Sequence, residues 1–171
     1  MIIRSLIIAL SALMTVSCGS GPENRGSCAT TGQEEMADLN RYLIQKDRER
    51  IENYIERKDL KMTESTSGFW YLIKSEGKGN YFTDNDKIIM EYECSLLDGT
   101  SCYSSKDLGS KEVILGRTEI EPGLSKALRM LKPGAEAIFI LPPFLAYGLK
   151  GDGEKIPSRA IIIYNINILS N

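Results

Sequence analysis

Short strand-like runs separated by glycine and proline fill most of the chain after Met62. One of them alternates between apolar and other side chains, so one face of that strand is predicted to be buried, the face that carries Ile88, Met90, Tyr92 and Cys94. The last run, Ala160–Leu169, alternates in the same way and sets Ile162, Tyr164, Ile166 and Ile168 against Asn165 and Asn167. The other runs are Phe69–Ile73, Lys87–Cys94, Glu112–Leu115 and Ala135–Leu141. These short segments predict a sheet with a buried face.

Only one segment among these strands has the pattern of a helix. Pro122-Gly123 opens it, leucines recur along it, and Lys132-Pro133-Gly134 ends it. Many strands with one short helix indicate an α+β domain in which an antiparallel sheet wraps around the helix.

The N-terminal residues resemble an export signal. A short basic start at Arg4 precedes an apolar run that is too short to span a bilayer and ends at Ser17-Cys18. This resembles a bacterial lipoprotein signal, in which Cys18 would be lipidated and anchor the protein to a membrane. The alternative is a plain secretory signal cleaved nearby, and both interpretations export the protein. The glycine- and serine-rich residues that follow Cys18 suit a flexible tether.

A second helix is predicted between this tether and the sheet. From Gln33 to about Lys58 there is no proline or glycine, and apolar residues recur at three- and four-residue steps. The charged stretch Gln45–Arg50 interrupts the apolar stripe, so a helix that packs locally or acts as a stalk is favoured over a coiled coil. A homodimer formed through this helix stays open as the alternative.

The composition argues against several classes of function. Lysine and arginine number 21 against 23 aspartate and glutamate residues, a net charge of -2, so nucleic acid is not an expected partner. Histidine is absent, which removes serine–histidine and cysteine–histidine nucleophilic machinery. The four cysteines form no CxxC pair, and no metal site is expected.

Short motifs in the C-terminal two-thirds follow one another in a recognisable order. They are Tyr92, Leu97-Asp98-Gly99, Ser104-Ser105, Leu115-Gly116, Pro122-Gly123-Leu124, Leu131-Lys132-Pro133-Gly134, Ala146-Tyr147-Gly148 and Ile156-Pro157. Their order and spacing resemble the FKBP-type peptidyl-prolyl cis-trans isomerases, from about Phe69 to Leu169. The exported, helix-prefixed arrangement also resembles the lipoprotein FKBPs associated with gliding motility. We therefore divide the chain into a signal peptide (1–17), a tether (18–32), a helical connector (33–61) and an isomerase domain (62–171).

The resemblance implies a site for a prolyl residue and no cofactor. Tyr92 would line the pocket, the hydroxyl of Tyr147 would donate to a substrate carbonyl, and the backbone N–H of Glu121 would be a second donor. The substrate-binding positions that it implies are Cys102, Tyr103, Val113, Ile120, Leu124, Ile156 and Tyr164.

The chain departs from the family pattern at several of these positions. Cys102-Tyr103 stand where the family usually has an aromatic residue and an aspartate, and Lys111 aligns with another aromatic position. Leu124 replaces the tryptophan of the pocket floor, and Glu121 replaces an aliphatic residue. Two functions follow as hypotheses: an isomerase that assists the folding of exported proteins by acting on their proline-containing segments, or a weakly catalytic or inactive chaperone or peptide-binding module of the cell envelope.

The hairpin around Asp98-Gly99 bears on a disulfide. A three-residue loop, Leu97-Asp98-Gly99, would place Cys94 opposite Cys102, whereas a two-residue loop would place it opposite Tyr103. Export is oxidising, so a Cys94–Cys102 disulfide is predicted, with two buried free thiols as the alternative.

Overall fold

A computed structural model describes the backbone of residues 27–170 and the side chains of residues 32–170. The predicted signal peptide and Cys18 lie outside the described residues. Residues 39–170 belong to one compact unit, which contains the whole sheet and the C-terminal part of the first helix. Among the described residues, no helix has both the length and the apolar character needed to cross a membrane.

The elements follow the predicted α+β order. The helices are α1 (Ser27–Arg57), α2 (Ser105–Leu108) and α3 (Pro122–Leu128), with a 3₁₀ turn at Pro143–Leu145. The strands are β1 (Thr63–Glu64), β2 (Trp70–Ser75), β3 (Lys87–Leu96), β4 (Ser101–Ser104), β5 (Lys111–Ile114), β6 (Glu136–Leu141) and β7 (Ile162–Ile168). The fold class is therefore confirmed.

Within residues 27–170, the seven strands join one antiparallel sheet in the order β1-β2-β6-β7-β3-β4, with β5 also paired to β3. The last strand, β7, pairs with β6 on one side and with β3 on the other. One face of the sheet packs on α3, where Leu124, Ala127 and Leu128 are fully buried. The predicted alternation holds on this face: Ile88, Met90 and Cys94 are buried, and Tyr92 is partly buried.

The opposite face of the sheet is divided into an apolar and a polar half. Trp70, Ile140 and Ile163 form the apolar half and pack with Ile51 of α1, which is fully buried. Full burial of such an aliphatic side chain stabilises a fold by about 1.5–3 kcal/mol. The polar half is a depression of about 400 Å³ lined largely by charged and amide side chains, among them Glu91, Glu93, Glu136, Asn165 and Asn167.

Helix α1 starts earlier than predicted, and its second half packs against the sheet, as expected of a helix that packs locally. It begins at Ser27, before the predicted Gln33, because a single glycine at Gly32 costs a helix only about 1 kcal/mol. Its second half is fastened to the rest of the compact unit: the Asp47 carboxylate is buried and accepts a hydrogen bond from Arg159 at 2.6 Å. Residues 47–57 therefore lie in the same compact unit as the sheet.

The geometry of the hairpin between β3 and β4 contradicts the predicted disulfide. Leu96 N–H donates to the Thr100 carbonyl at 2.8 Å, and Gly99 takes a φ of 95°, which closes the three-residue loop as predicted. A β-bulge then inserts Cys102, so that Cys94 lies opposite Tyr103 instead. Both thiols are buried and free, and the Cys94–Cys102 disulfide is not formed.

Candidate active site

A cavity of about 280 Å³ opens where the segment before α3 meets the residues that follow the 3₁₀ turn. Pro122 occupies the first turn of α3, where a missing backbone N–H costs nothing, so it fixes the direction in which the preceding residues enter the helix. The residues that line the cavity are Lys111, Glu119, Ile120, Glu121, Pro122, Ala146 and Tyr147. Its wall combines apolar surface with one tyrosine and three charged side chains.

Glu121 is the buried charge of this site, with only 6% of its surface exposed. It is the N-cap residue of α3, yet its side chain makes no capping hydrogen bond. Instead, its Oε1 atom accepts hydrogen bonds from the hydroxyls of Tyr147 and of Tyr164, the latter at 2.7 Å. Oε2 is also buried and has no hydrogen-bond partner among the described residues.

The tyrosines around this carboxylate remain protonated donors. Burial is the main cause that raises the pKa of Tyr147 and of Tyr164, and the neighbouring carboxylate of Glu121 raises each pKa further. Tyr92 lies beside them, with its ring centroid 6.3 Å from that of Tyr164, and burial raises its pKa as well. The ammonium group of Lys111 lies 5.8 Å from the centre of the Tyr92 ring. The result is an acidic centre surrounded by hydroxyl donors.

Apart from Tyr103, the residues predicted to catalyse or bind substrate fall into three groups. Ile120, Glu121 and Tyr147 line the cavity. Tyr92 and Tyr164 lie behind it, joined to it through ring contact and through the hydrogen bond to Glu121. The others that the structure places in the hydrophobic core, at no more than 2% exposure, are Cys102, Val113, Leu124 and Ile156.

Tyr103 is held by the segment that carries Ile156. Its hydroxyl donates to Oδ2 of Asp152 at 2.5 Å, and this hydrogen bond, together with burial, raises the pKa of Tyr103 to about 12. Oδ1 of Asp152 accepts the backbone N–H groups of Glu154 and Ile156 at 2.9 and 2.8 Å. Asp152 therefore fastens this segment to β4.

Sequence reasoning did not identify Asp152 or the inward turn of the Glu121 side chain. The one available signal for Asp152 was its position between two glycines, Gly151 and Gly153, which is typical of a turn held by an aspartate side chain. For Glu121 the signal was an acidic residue at a position where the family usually has an aliphatic one. Nothing in the spacing indicated that two tyrosine hydroxyls would meet its carboxylate.

Comparison with known proteins agrees with this geometry. The family of FKBP-type peptidyl-prolyl cis-trans isomerases matches residues 79–169, more than half of the chain. A probable FKBP-type peptidyl-prolyl cis-trans isomerase FkpA of Neisseria meningitidis is 35% identical over 105 residues, which are 61% of this chain and 38% of that protein. A probable isomerase of the same type from Haemophilus influenzae is 31% identical over 112 residues, 66% of this chain and 45% of that protein.

The solved structures give the same answer for the fold. The crystal structure of FkpA from Escherichia coli superimposes with a TM-score of 0.64 at 24% identity, over 83% of this chain and 66% of that one. AtFKBP13 superimposes with a TM-score of 0.59 at 23% identity, over 65% of this chain and 98% of that one. The chain spans less than half the length of the two curated relatives named above. On the match over residues 79–169, this protein belongs to the FKBP-type peptidyl-prolyl cis-trans isomerase family.

Proposed function

We propose that the protein is a peptidyl-prolyl cis-trans isomerase that acts on proline-containing segments of exported proteins, at the cavity beside Tyr147. The observation that carries the proposal is the position of this tyrosine. It lines the cavity next to the apolar surface of Ile120 and Ala146, and its raised pKa keeps the hydroxyl proton available for donation.

Prolyl isomerisation needs no nucleophile and no acid–base group at the site. Rotation about a prolyl bond faces a barrier of about 18–20 kcal/mol because the planar amide is resonance-stabilised, and no bond needs to break. A hydroxyl that bonds the carbonyl more strongly in the twisted amide than in the planar one lowers this barrier. A thousandfold acceleration needs about 4 kcal/mol of such differential stabilisation. A chain without histidine can supply it.

The test is an isomerisation assay on the purified full chain with several proline peptides. We expect measurable acceleration over the uncatalysed rate. Tyr147→Phe should lower turnover about tenfold, the effect of losing about 1.4 kcal/mol of transition-state hydrogen bonding. The control is Tyr81→Phe, because Tyr81 is exposed and does not line the cavity. No acceleration by the wild-type chain with any peptide would contradict the proposal.

A second function, a peptide-binding module with weak catalysis, is favoured by one specific contact. The Tyr147 hydroxyl has a single proton, and in this structure it donates that proton to Glu121. A substrate carbonyl therefore competes with a carboxylate for the donor. If proline peptides bind to the chain but are not isomerised faster than in buffer, the binding module is the correct assignment.

For the place of action, we propose the cell envelope, with the chain anchored to a membrane through Cys18. The apolar run that ends at Ser17-Cys18 supports this anchor, and the glycine- and serine-rich residues after it give the tether its length. Isomerisation of prolyl bonds is slow enough to limit the rate of folding, so an isomerase at this place would assist proteins that fold after export.

A further inference from the structure

The carboxylate of Glu121 lacks a partner at one of its two oxygens. Both hydroxyl donors, from Tyr147 and Tyr164, meet Oε1, while Oε2 is buried without a hydrogen bond among the described residues. The large majority of buried polar atoms in folded proteins are hydrogen-bonded, so an unpaired buried oxygen calls for an explanation such as a functional role. Since Glu121 lines the cavity, the missing donor can come from a molecule bound there.

The chain's own cation at this cavity is engaged elsewhere. Lys111 lines the same cavity, but its ammonium group lies against the ring of Tyr92, and no ion pair joins it to Glu121 in the described part of the chain. Glu119, also on the cavity wall, is exposed and adds a second negative charge. The cavity therefore has an acidic balance that favours a cationic ligand.

The walls indicate what kind of cation fits. Ile120, Pro122 and Ala146 add apolar surface to the cavity that Glu121 lines. Lysine and arginine side chains combine an aliphatic stem, which packs on such surface, with N–H donors at the tip. A prolyl ring alone has no N–H group and leaves Oε2 without a partner.

We propose that this site selects polypeptide segments in which lysine or arginine directly precedes the proline, with the basic group bound to Oε2 of Glu121. This selectivity rests on the proposed function, because it treats the cavity as the place where proline-containing segments bind. Oε2 is not reachable from solvent in the unliganded chain, so the Glu121 side chain has to turn toward the cavity. A cation bound to this carboxylate also makes Oε1 a weaker acceptor, so the Tyr147 proton becomes more available to the substrate carbonyl. The basic residue thus prepares the donor that the reaction uses.

The test compares peptides that differ only in the residue before proline: lysine, arginine, norleucine and Nε-acetyl-lysine. Affinity is measured by calorimetry on the full chain, and isomerisation by exchange spectroscopy on the same samples. We expect lysine and arginine peptides to bind about tenfold more tightly than the acetyl-lysine peptide, as for one charge-assisted hydrogen bond. The preference should persist in about 0.5 M salt, because a buried pair is screened far less than surface charges are.

Two variants test whether Glu121 causes the preference for lysine and arginine peptides. Glu121→Gln keeps the size of the side chain and its hydrogen bonding but removes the charge, and it should bring the peptides to within about twofold of one another. Glu112→Gln is the matched control: Glu112 is exposed and pairs with Lys87 at 2.8 Å, so the same charge change there should keep the preference.

The outcomes separate the two proposals. Equal affinity of the wild-type chain for the lysine and acetyl-lysine peptides would overturn the selectivity without any variant, and so would a preference that survives Glu121→Gln. If all peptides are isomerised equally well, the selectivity is wrong and the isomerase stands. If basic peptides bind in a Glu121-dependent way without being isomerised, the selectivity stands and the isomerase fails.

Discussion

The hydrogen bond between Tyr147 and Glu121 predicts that Tyr147→Phe destabilises the fold, in addition to slowing catalysis. The hydroxyl is one of two donors to a carboxylate that is almost fully buried. A hydrogen bond to a charged group is worth about 1.5–3 kcal/mol, and a buried acceptor that loses its donor is not compensated by water. Tyr147 is only partly buried, so we take the lower end and expect a loss of about 1.5 kcal/mol in the free energy of unfolding.

Pairing this change with Glu121→Gln isolates the contact itself. A neutral amide oxygen at position 121 accepts a bond worth about 0.5–1.5 kcal/mol, so Tyr147→Phe should cost less in that background. The coupling energy of the double-mutant cycle should then be about 1 kcal/mol.

Urea unfolding followed by tryptophan fluorescence measures these values. Trp70 is the only tryptophan of the sequence, and 6% of its surface is exposed, so its emission should change sharply on unfolding. Tyr81→Phe is the control, since Tyr81 is 56% exposed and its substitution should leave the midpoint unchanged. The hydrogen bond would be refuted if Tyr147→Phe has the same free energy of unfolding as the wild type and the effects of the two substitutions simply add. The competition for the Tyr147 proton would then be refuted as well.

Other features of the chain give three further predictions. Ile51→Ala should lower the free energy of unfolding by about 2–4 kcal/mol in urea titrations because it empties the contact between α1 and the sheet, whereas Ile44→Ala, at a 49% exposed position, should not. Burial raises the pKa of the Cys94 thiol to about 12, so Cys94 and the likewise buried Cys102 should resist iodoacetamide at pH 8 until the chain unfolds. If neither thiol becomes reactive when the chain is unfolded without a reductant, the two cysteines form a disulfide after all. Cys18→Ala should abolish incorporation of labelled fatty acid, and a variant that still incorporates it would rule out this anchor.

Much of the fold could be predicted because the strands follow simple periodicity. The runs ending at Cys94, Leu141 and Leu169 all became strands, and Pro122 opened a helix as its fixed φ suggests. The periodicity did not show that the other face of the sheet is also partly buried, beneath α1. Ile161, just before β7, and Ile163 within it interrupt the alternation, and the docking of α1 on that face explains why they are apolar.

The site was less predictable, because its character depends on contacts between distant residues. Tyr147 and Ile120 were expected in the pocket from the motif order, and the structure places both on the cavity wall. Leu124, expected as the pocket floor, is instead fully buried in the core. Glu121 and Tyr164 are separated by 43 positions in the sequence, and no local pattern relates a carboxylate to a hydroxyl over that distance.

The position of β7 also determines when the chain can fold during synthesis. The last strand to leave the ribosome is the one that joins β6 to β3, so the earlier strands β1, β2 and β6 lack a partner that connects them to β3, β4 and β5 until then. The ion pair between Asp47 and Arg159 also joins residues far apart in the sequence, with a separation of 112 positions. High contact order of this kind slows folding, because the entropy of closing long loops is lost before the contacts form. A chain of this topology can therefore complete its sheet only after β7 has left the ribosome.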